Sequence, residues 1–131
     1  MPPLTGILET ALYVDDLSRS RKFYQDLFGF EVVVDVERLV ALAVRPGQVL
    51  LLFLRGASSQ LPHTAHDGSG QLHMAFSIPA SAVAEWKTTL RHAGITIEET
   101  RTWDAGGESI YFRDPDGHLL ELASPGVWSN Y

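Results

Sequence analysis

The 131-residue chain contains no cysteine, and this absence limits its chemistry. Disulfide bonds, thiol nucleophiles and every metal site built on thiolates are excluded. A metal ion held by this protein would have to be bound by histidine, aspartate, glutamate, main-chain oxygen or water.

The chain also has few basic residues and no long apolar run. It has 10 Lys and Arg against 16 Asp and Glu, a net charge of −6, so a nucleic-acid-binding face is not expected. No apolar run reaches the length of about 18 residues that a membrane span needs, and the N-terminus has no basic leader region. We therefore expect a soluble, cytoplasmic protein with no nucleic-acid or membrane partner.

Several common site motifs are missing as well. There is no glycine-rich phosphate loop and no nucleophile elbow, and "DPDG" (114–117) fits a hairpin turn rather than a calcium loop. His63 and His66 stand in a loop rich in Ser, Gly and Pro, where their spacing gives no reason for joint metal binding. They are expected to be loop residues, or else to contact substrate as part of a lid.

The order of predicted elements occurs twice along the chain. Asp16 and Ser81 are the expected helix N-caps and lie 65 residues apart, as do the helix-stop glycines Gly29 and Gly94. This spacing predicts an α+β fold in which two tandem β-α-β-β-β modules form an open, curved mixed sheet around a cavity. A single domain over residues 1–131 would comprise module one (about 5–56), a connecting loop (about 57–71) and module two (about 72–126).

Three ionisable residues occupy predicted strands among small or apolar neighbours. Glu9 lies in the first strand, His73 in the strand that opens the second half, and Glu121 in the last strand, within "HLLELA". Because a buried carboxylate is costly without a partner, a shared divalent ion is one explanation. The alternatives are a solvated Glu9, a core His73 bonded to a carbonyl group, and a Glu121 exposed on a one-sided sheet.

Three longer stretches together resemble one known family. They are "ETALYVDDLSRSRKFYQDLFGFEV", "GQLHMAFSIP" and "SIYFRDPDGHLLELASPGVW". Their motifs are similar to those of the vicinal oxygen chelate superfamily, which includes glyoxalase I, bleomycin resistance proteins and extradiol dioxygenases. The resemblance implies paired β-α-β-β-β modules around a divalent metal and a homodimer of two-module chains.

The resemblance also implies a ligand set. The family's metal ligands fall on Glu9, His73 and Glu121, although the commonest residue at the first position is His. The ion would be Mn, Fe, Ni, Co or Zn, because this oxygen and nitrogen donor set is not selective. Leu51 stands where glyoxalase I-like members have a fourth ligand, so the site resembles the dioxygenase and fosfomycin-resistance branches. If modules exchange between subunits, Glu9 of one subunit would complete the site of another.

The implied activity is that of a lyase, isomerase or dioxygenase acting on a small molecule that chelates the metal through adjacent oxygens. Glu9 and Glu121 are the expected catalytic residues, with Glu9 a candidate general base when released from the metal. Tyr13, Trp103 and Tyr111 are candidate substrate contacts, unless they are simply core aromatics. Arg101 or Arg113 would meet an anionic substrate. The alternative function is a metal-free protein that sequesters a ligand, as bleomycin resistance proteins do.

Overall fold

The computed structural model describes all 131 residues, and its backbone contacts divide the chain into two units, residues 1–69 and 70–131. Each unit has the element order β-α-β-β-β, so the predicted α+β class and the internal duplication are confirmed. Unit 1 comprises β1 (Glu9–Val14), α1 (Leu17–Phe28), β2 (Glu31–Asp35), β3 (Leu39–Arg45) and β4 (Gln48–Leu54). Unit 2 comprises β5 (His73–Ser77), a 3-10 turn (Ala80–Ala82), α2 (Val83–His92), β6 (Glu99–Thr102), β7 (Glu108–Arg113) and β8 (Leu119–Ala123).

The two sheets have the same strand order. The order is β1-β4-β3-β2 in unit 1 and β5-β8-β7-β6 in unit 2, and in each sheet the first and last strands of the unit pair in parallel. Ala11 is paired with Leu51 in the first sheet, and Ala75 is paired with Glu121 in the second. Leu51 is therefore the unit 1 counterpart of Glu121, as the sequence predicts.

The core of unit 1 forms because apolar residues alternate along its strands. Leu12 and Val14 are buried on one face of β1, and Tyr24 of α1 is fully buried. Helix α1 begins where the carboxylate of Asp16 accepts a hydrogen bond from the main-chain N–H of Arg19, and it ends at Gly29, whose φ of 71° is left-handed. Both predicted ends of this helix are confirmed. Neither helix of the chain is long and apolar enough to cross a membrane.

The start of α2 differs from the prediction. Ser81 lies inside the 3-10 turn, and α2 begins at Val83 with no side-chain cap. The N–H of Ala82 donates to the carbonyl of Pro79 over 2.9 Å, so a tight turn takes the place of a serine cap before the helix. The serine prediction was wrong because a sequence pattern does not reveal this turn.

The predicted hairpin turn between β7 and β8 is present. The N–H of Gly117 donates to the carbonyl of Asp114 over 3.0 Å, and the φ of Gly117 is 80°. The carboxylate of Asp114 accepts from the main-chain N–H groups of Asp116 and His118. This carboxylate therefore closes a turn, which agrees with the rejection of a calcium loop.

Candidate metal site

The parallel pairing of β5 with β8 brings two of the predicted ligands together. His73 is paired with Leu119 and Ala75 with Glu121, so His73 and Glu121 lie on the same sheet face, two residues apart along the strands. Nε2 of His73 lies 3.3 Å from Oε2 of Glu121. Half of the His73 side chain is exposed, against 9% of the Glu121 side chain. A polar pair with one open side is the result.

The orientation of the His73 ring is fixed from behind. Its Nδ1 lies 2.9 Å from the carbonyl oxygen of Leu119. Because a carbonyl oxygen only accepts, Nδ1 is the nitrogen that carries the proton, and the lone pair of the neutral ring is on Nε2. A carbonyl behind the distal nitrogen is the common arrangement for a metal-binding histidine. The predicted carbonyl bond therefore exists, but in a half-exposed histidine rather than a core one.

Glu121 is buried, so its interpretation as an exposed residue of a one-sided sheet was wrong. The hydroxyl of Ser109 donates to Oε1 of Glu121 over 2.5 Å, and Ser109 is itself 1% exposed. The indole Nε1–H of Trp103 donates to the Ser109 oxygen over 2.9 Å. One carboxylate oxygen is thus bound by Ser109, while the other faces His73.

Two further side chains adjoin the pair from β6 and β7. Tyr111 is the cross-strand partner of Glu121, and its ring centroid lies 6.5 Å from that of His73. Burial raises the pKa of the Tyr111 phenol above its ordinary value of 10.0, and the negative charge of Glu121 acts in the same direction. The guanidinium of Arg101 lies over the rings of both Trp103 and Tyr111, at 5.1 and 5.7 Å from their centroids. Unit 2 therefore carries a wall of two aromatic rings and one cation beside the pair.

The spacing of the His73 and Glu121 donor atoms suits a metal ion. Two ligands that each lie about 2.0–2.1 Å from a tetrahedral ion are roughly 3.3 Å apart. The same spacing suits an imidazolium bonded to a carboxylate, so metal titration is the measurement that separates the two states. On donor chemistry and spacing, these two residues fit a divalent ion.

The third predicted ligand, Glu9, is exposed at the start of β1 in unit 1. No group of three or more His, Asp or Glu side chains suited to a metal occurs anywhere in the single chain. The structure brings together two of the three predicted ligands, and the three-ligand site stays a prediction.

Tyr13, a predicted substrate contact, is engaged within unit 1 by the loop that follows β4. Its hydroxyl lies 2.6 Å from Nδ1 of His66, and its ring is stacked on Phe53. The main chain at Gly68 covers the Tyr13 ring so closely that an added Cβ would lie 2.4 Å from its Cδ2 atom. His66 is thus the loop residue that meets a site candidate, whereas His63 is exposed.

Both arginines considered for anionic substrates are paired with a carboxylate: one terminal nitrogen of Arg101 donates to Glu99 over 3.1 Å, and Arg113 pairs with Glu98. Its Nε and one terminal nitrogen donate to the two carboxylate oxygens of Glu98 over 2.7 and 3.0 Å. This pairing holds the pKa of the Glu98 carboxyl below its ordinary value of 4.5. Arg101 is the arginine that lies beside the candidate site.

Ser109 and His118 are site residues that the sequence reasoning missed. Ser109 was predictable in part, because it lies two residues from Tyr111 and so shares its sheet face. His118 is fully buried, and its Nδ1 accepts the main-chain N–H of Leu72 over 2.9 Å. Its place directly after a turn gave no such signal.

With this geometry established, the chain can be placed among known proteins. A family model described as the Glyoxalase/Bleomycin resistance protein/Dioxygenase superfamily matches residues 6–122. The chain belongs to this superfamily. The resemblance inferred from the motifs is thereby confirmed.

Individual relatives carry different names. The chain is 36% identical over 110 residues to metallothiol transferase FosB of Staphylococcus saprophyticus, which covers 83% of this chain and 70% of that protein. It is 36% identical to lactoylglutathione lyase from Agrobacterium tumefaciens, whose crystal structure matches with a TM-score of 0.91 over 98% of this chain and 99% of that one. The fosfomycin resistance protein FosX from Listeria monocytogenes is 25% identical, with a TM-score of 0.70 over 95% and 97% of the two chains. These matches agree in placing the chain in the superfamily.

Proposed function

We propose that this protein is a metal-dependent enzyme that acts on a small substrate chelating a divalent ion through adjacent oxygens. The observation that carries the proposal is the convergence of Nε2 of His73 and Oε2 of the buried Glu121 at 3.3 Å, each oriented by a second hydrogen bond. A protein that only sequesters a ligand has no need of this pair. The bound ion would supply Lewis-acid polarisation of the chelated substrate oxygens.

The proposed ligand set is Glu9, His73 and Glu121. His73 and Glu121 are preset in unit 2, and Glu9 would supply the third protein ligand, leaving open positions for substrate and water. Glu9 has a proposed second role: when not bound to the ion, its carboxylate would be able to take a proton from substrate. The proposed set has three protein ligands rather than four, because Leu51, the counterpart of Glu121, has no donor atom.

The surroundings of the pair favour a substrate that carries a negative charge. The protein has a net charge of −6, yet the aromatic wall beside the pair carries a cation, Arg101, which lies over Trp103 and Tyr111 and uses one terminal nitrogen to pair with Glu99. A planar guanidinium recognises carboxylate and phosphonate groups through paired hydrogen bonds. Ala75, the strand partner of Glu121, is small and exposed, so it leaves room for a ligand over the sheet.

The reaction classes that we propose to test follow from the ligand count and the composition. The chain has no cysteine, so a thiol taking part in the reaction must come from a substrate. Addition of a thiol to an epoxide that carries a phosphonate, isomerisation of a hemithioacetal, and oxidation of a catechol are therefore the three assays of choice. The second is disfavoured because Leu51 leaves a three-ligand site, and the first is preferred to the third because the chain is 36% identical to a metallothiol transferase.

The first test is metal binding, measured by isothermal titration of the apo-protein with Zn²⁺, Mn²⁺ and Ni²⁺. We expect one site per chain, and we expect Glu121→Gln to weaken binding at least 10-fold, since it removes a charged ligand. Glu108→Gln is the matched control, because Glu108 pairs with Lys87 in the same unit. Equal binding by wild type and Glu121→Gln would contradict the proposed ligand set. No binding by wild type would contradict the proposed function, and a metal-free protein that sequesters a ligand would then be the better account.

A further inference from the structure

A chain of two hydrogen bonds runs behind Glu121, away from His73. Trp103 donates to Ser109 over 2.9 Å, and Ser109 donates to Oε1 of Glu121 over 2.5 Å. Trp103 lies one residue beyond β6, Ser109 belongs to β7 and Glu121 to β8. The two hydrogen bonds therefore link three neighbouring segments of unit 2. We call it the Trp103–Ser109–Glu121 relay.

The direction of both bonds follows from the donor groups. An indole nitrogen only donates, so the Ser109 oxygen is the acceptor of the first bond. A serine hydroxyl has one proton, and an ionised carboxylate only accepts, so that proton is directed to Oε1 of Glu121. Ser109 is 1% exposed, and water does not compete for its hydroxyl. This hydroxyl therefore accepts one bond and donates one, and the Tyr111 side chain also lies within hydrogen-bond reach of it.

The relay restricts what Glu121 can present to a ligand. With Oε1 engaged by Ser109, the oxygen that remains on the His73 side is Oε2. A carboxylate held in this way offers one oxygen rather than two, and its plane cannot rotate without breaking a charge-assisted bond inside the protein. The bond also removes part of the cost of burying the charge before any ion is present.

We infer that Ser109 and Trp103 are positioning residues that hold Glu121 as a single-oxygen ligand beside His73; this rests on the proposed function. The indole of Trp103 also lies under the guanidinium of Arg101, at 5.1 Å. Trp103 thus contacts Arg101, the cation proposed to bind substrate, with its ring face, and Ser109, which orients Glu121, with its indole N–H. A change in the carboxylate should alter the indole N–H bond through Ser109, because successive hydrogen bonds polarise one another.

The relay is tested first without metal. In the apo-protein, the indole N–H resonance of Trp103, assigned through Trp103→Phe, is recorded in wild type, Glu121→Gln, Ser109→Ala and the double variant. We expect Glu121→Gln to move this resonance in the Ser109 background and to leave it in place in the Ser109→Ala background. A shift of equal size in both backgrounds, or no shift in either, would overturn the relay.

The second test is Zn²⁺ affinity by titration. Ser109→Ala is expected to weaken binding by about 10- to 100-fold, the usual effect of losing a group that orients a ligand. Ser124→Ala is the matched control: Ser124 is equally buried, and its hydroxyl accepts the main-chain N–H of Glu108 rather than contacting Glu121. Its affinity should equal that of wild type. Unchanged affinity in Ser109→Ala, or an equal loss in both variants, would refute the positioning role.

The two tests separate the relay from the proposed function. If wild type binds no metal, the proposed function fails, while the resonance experiment still decides whether Ser109 couples Trp103 to Glu121. If metal binds and the resonance responds identically in both backgrounds, the relay fails and the metal site stands.

Discussion

The side chain of Glu121 is buried, yet each of its two carboxylate oxygens has a partner. One accepts the hydroxyl of Ser109, and the other faces the half-exposed ring of His73. An isolated carboxylate in such a place would be expected to take up a proton or move to solvent. Here Ser109 and Tyr111 interact with the carboxylate from within unit 2, and Oε2 faces the half-exposed ring of His73, which is where a metal ligand is needed.

Gly68 allows a residue-scale prediction for the loop over Tyr13. In Gly68→Ala the new Cβ would overlap the Tyr13 ring at 2.4 Å, so the ring or the loop has to shift. We expect the free energy of unfolding to fall by about 1–3 kcal/mol, the usual cost of overpacking. Chemical denaturation measures this change. In a Tyr13→Ala background most of the loss should disappear, and a loss of equal size there would contradict the contact.

The Glu98–Arg113 pair predicts a pH dependence. Arg113 lowers the folded-state pKa of Glu98 below 4.5, so the pair's stabilisation is present above that pH and is lost as the pH falls through the lowered folded value. We expect the stability difference between wild type and Glu98→Gln to shrink toward zero on acidification below 4.5. Urea denaturation at a series of pH values checks it. Arg113→Gln should abolish the same slope, and a difference that grows in acid would contradict the assignment.

At the scale of elements, a hydrogen bond to His118 joins the start of β8 to the start of β5, next to His73. Its Nδ1 accepts the N–H of Leu72, and the N–H of Leu119 donates to the carbonyl of Leu72 over 2.8 Å. Leu119 in turn accepts from Nδ1 of His73. The parallel pairing that orients the His73 ring is thus anchored at its first residue by a buried histidine.

We expect His118→Leu to lower the free energy of unfolding by about 1–3 kcal/mol, because it leaves the N–H of Leu72 without its acceptor. His118→Asn places an oxygen where Nδ1 stands and should recover much of that loss. Thermal or chemical denaturation of both variants is the measurement. Equal losses in the two variants would show that ring volume, rather than the hydrogen bond, is what the site requires.

The alternation of apolar residues and the spacing of helix caps and glycines predicted the helices and strands well, because these elements depend on residues close together in the sequence. The helix ends at Asp16 and Gly29 and the pairing equivalence of Leu51 with Glu121 follow from local signals and from the duplication. The Ser109 bond to Glu121 depends on the register of a third strand, and the Tyr13 contact with His66 joins residues 53 apart. Such contacts arise from tertiary packing, which no local pattern encodes.

At the scale of the whole molecule, the proposed site needs a third ligand. The single chain has no cluster of three suitable side chains, whereas the proposal requires Glu9 with His73 and Glu121. A homodimer, as the superfamily resemblance implies, would let Glu9 of one subunit join the pair of another. This arrangement is a prediction with a direct test.

We expect Glu9→Ala and Glu121→Ala chains to bind metal weakly when alone and to regain binding when unfolded together and refolded as a mixture. Random pairing would give about a quarter of the sites all three ligands if Glu9 crosses between subunits. Equilibrium dialysis with elemental analysis counts the sites, and light scattering gives the mass relative to the 14.5 kDa chain. No recovery, or a monomeric mass, would contradict the shared site.

Each four-stranded sheet is drawn entirely from one continuous half of the polypeptide. Cutting the backbone after Ser69 would sever no strand ladder, and the loop contacts of His66 and Gly68 with Tyr13 would stay with the first fragment. The gene could therefore be divided there into two separately expressed pieces, each holding every residue its own sheet requires. The two pieces would differ chemically in that only the C-terminal one carries the His73–Glu121 pair.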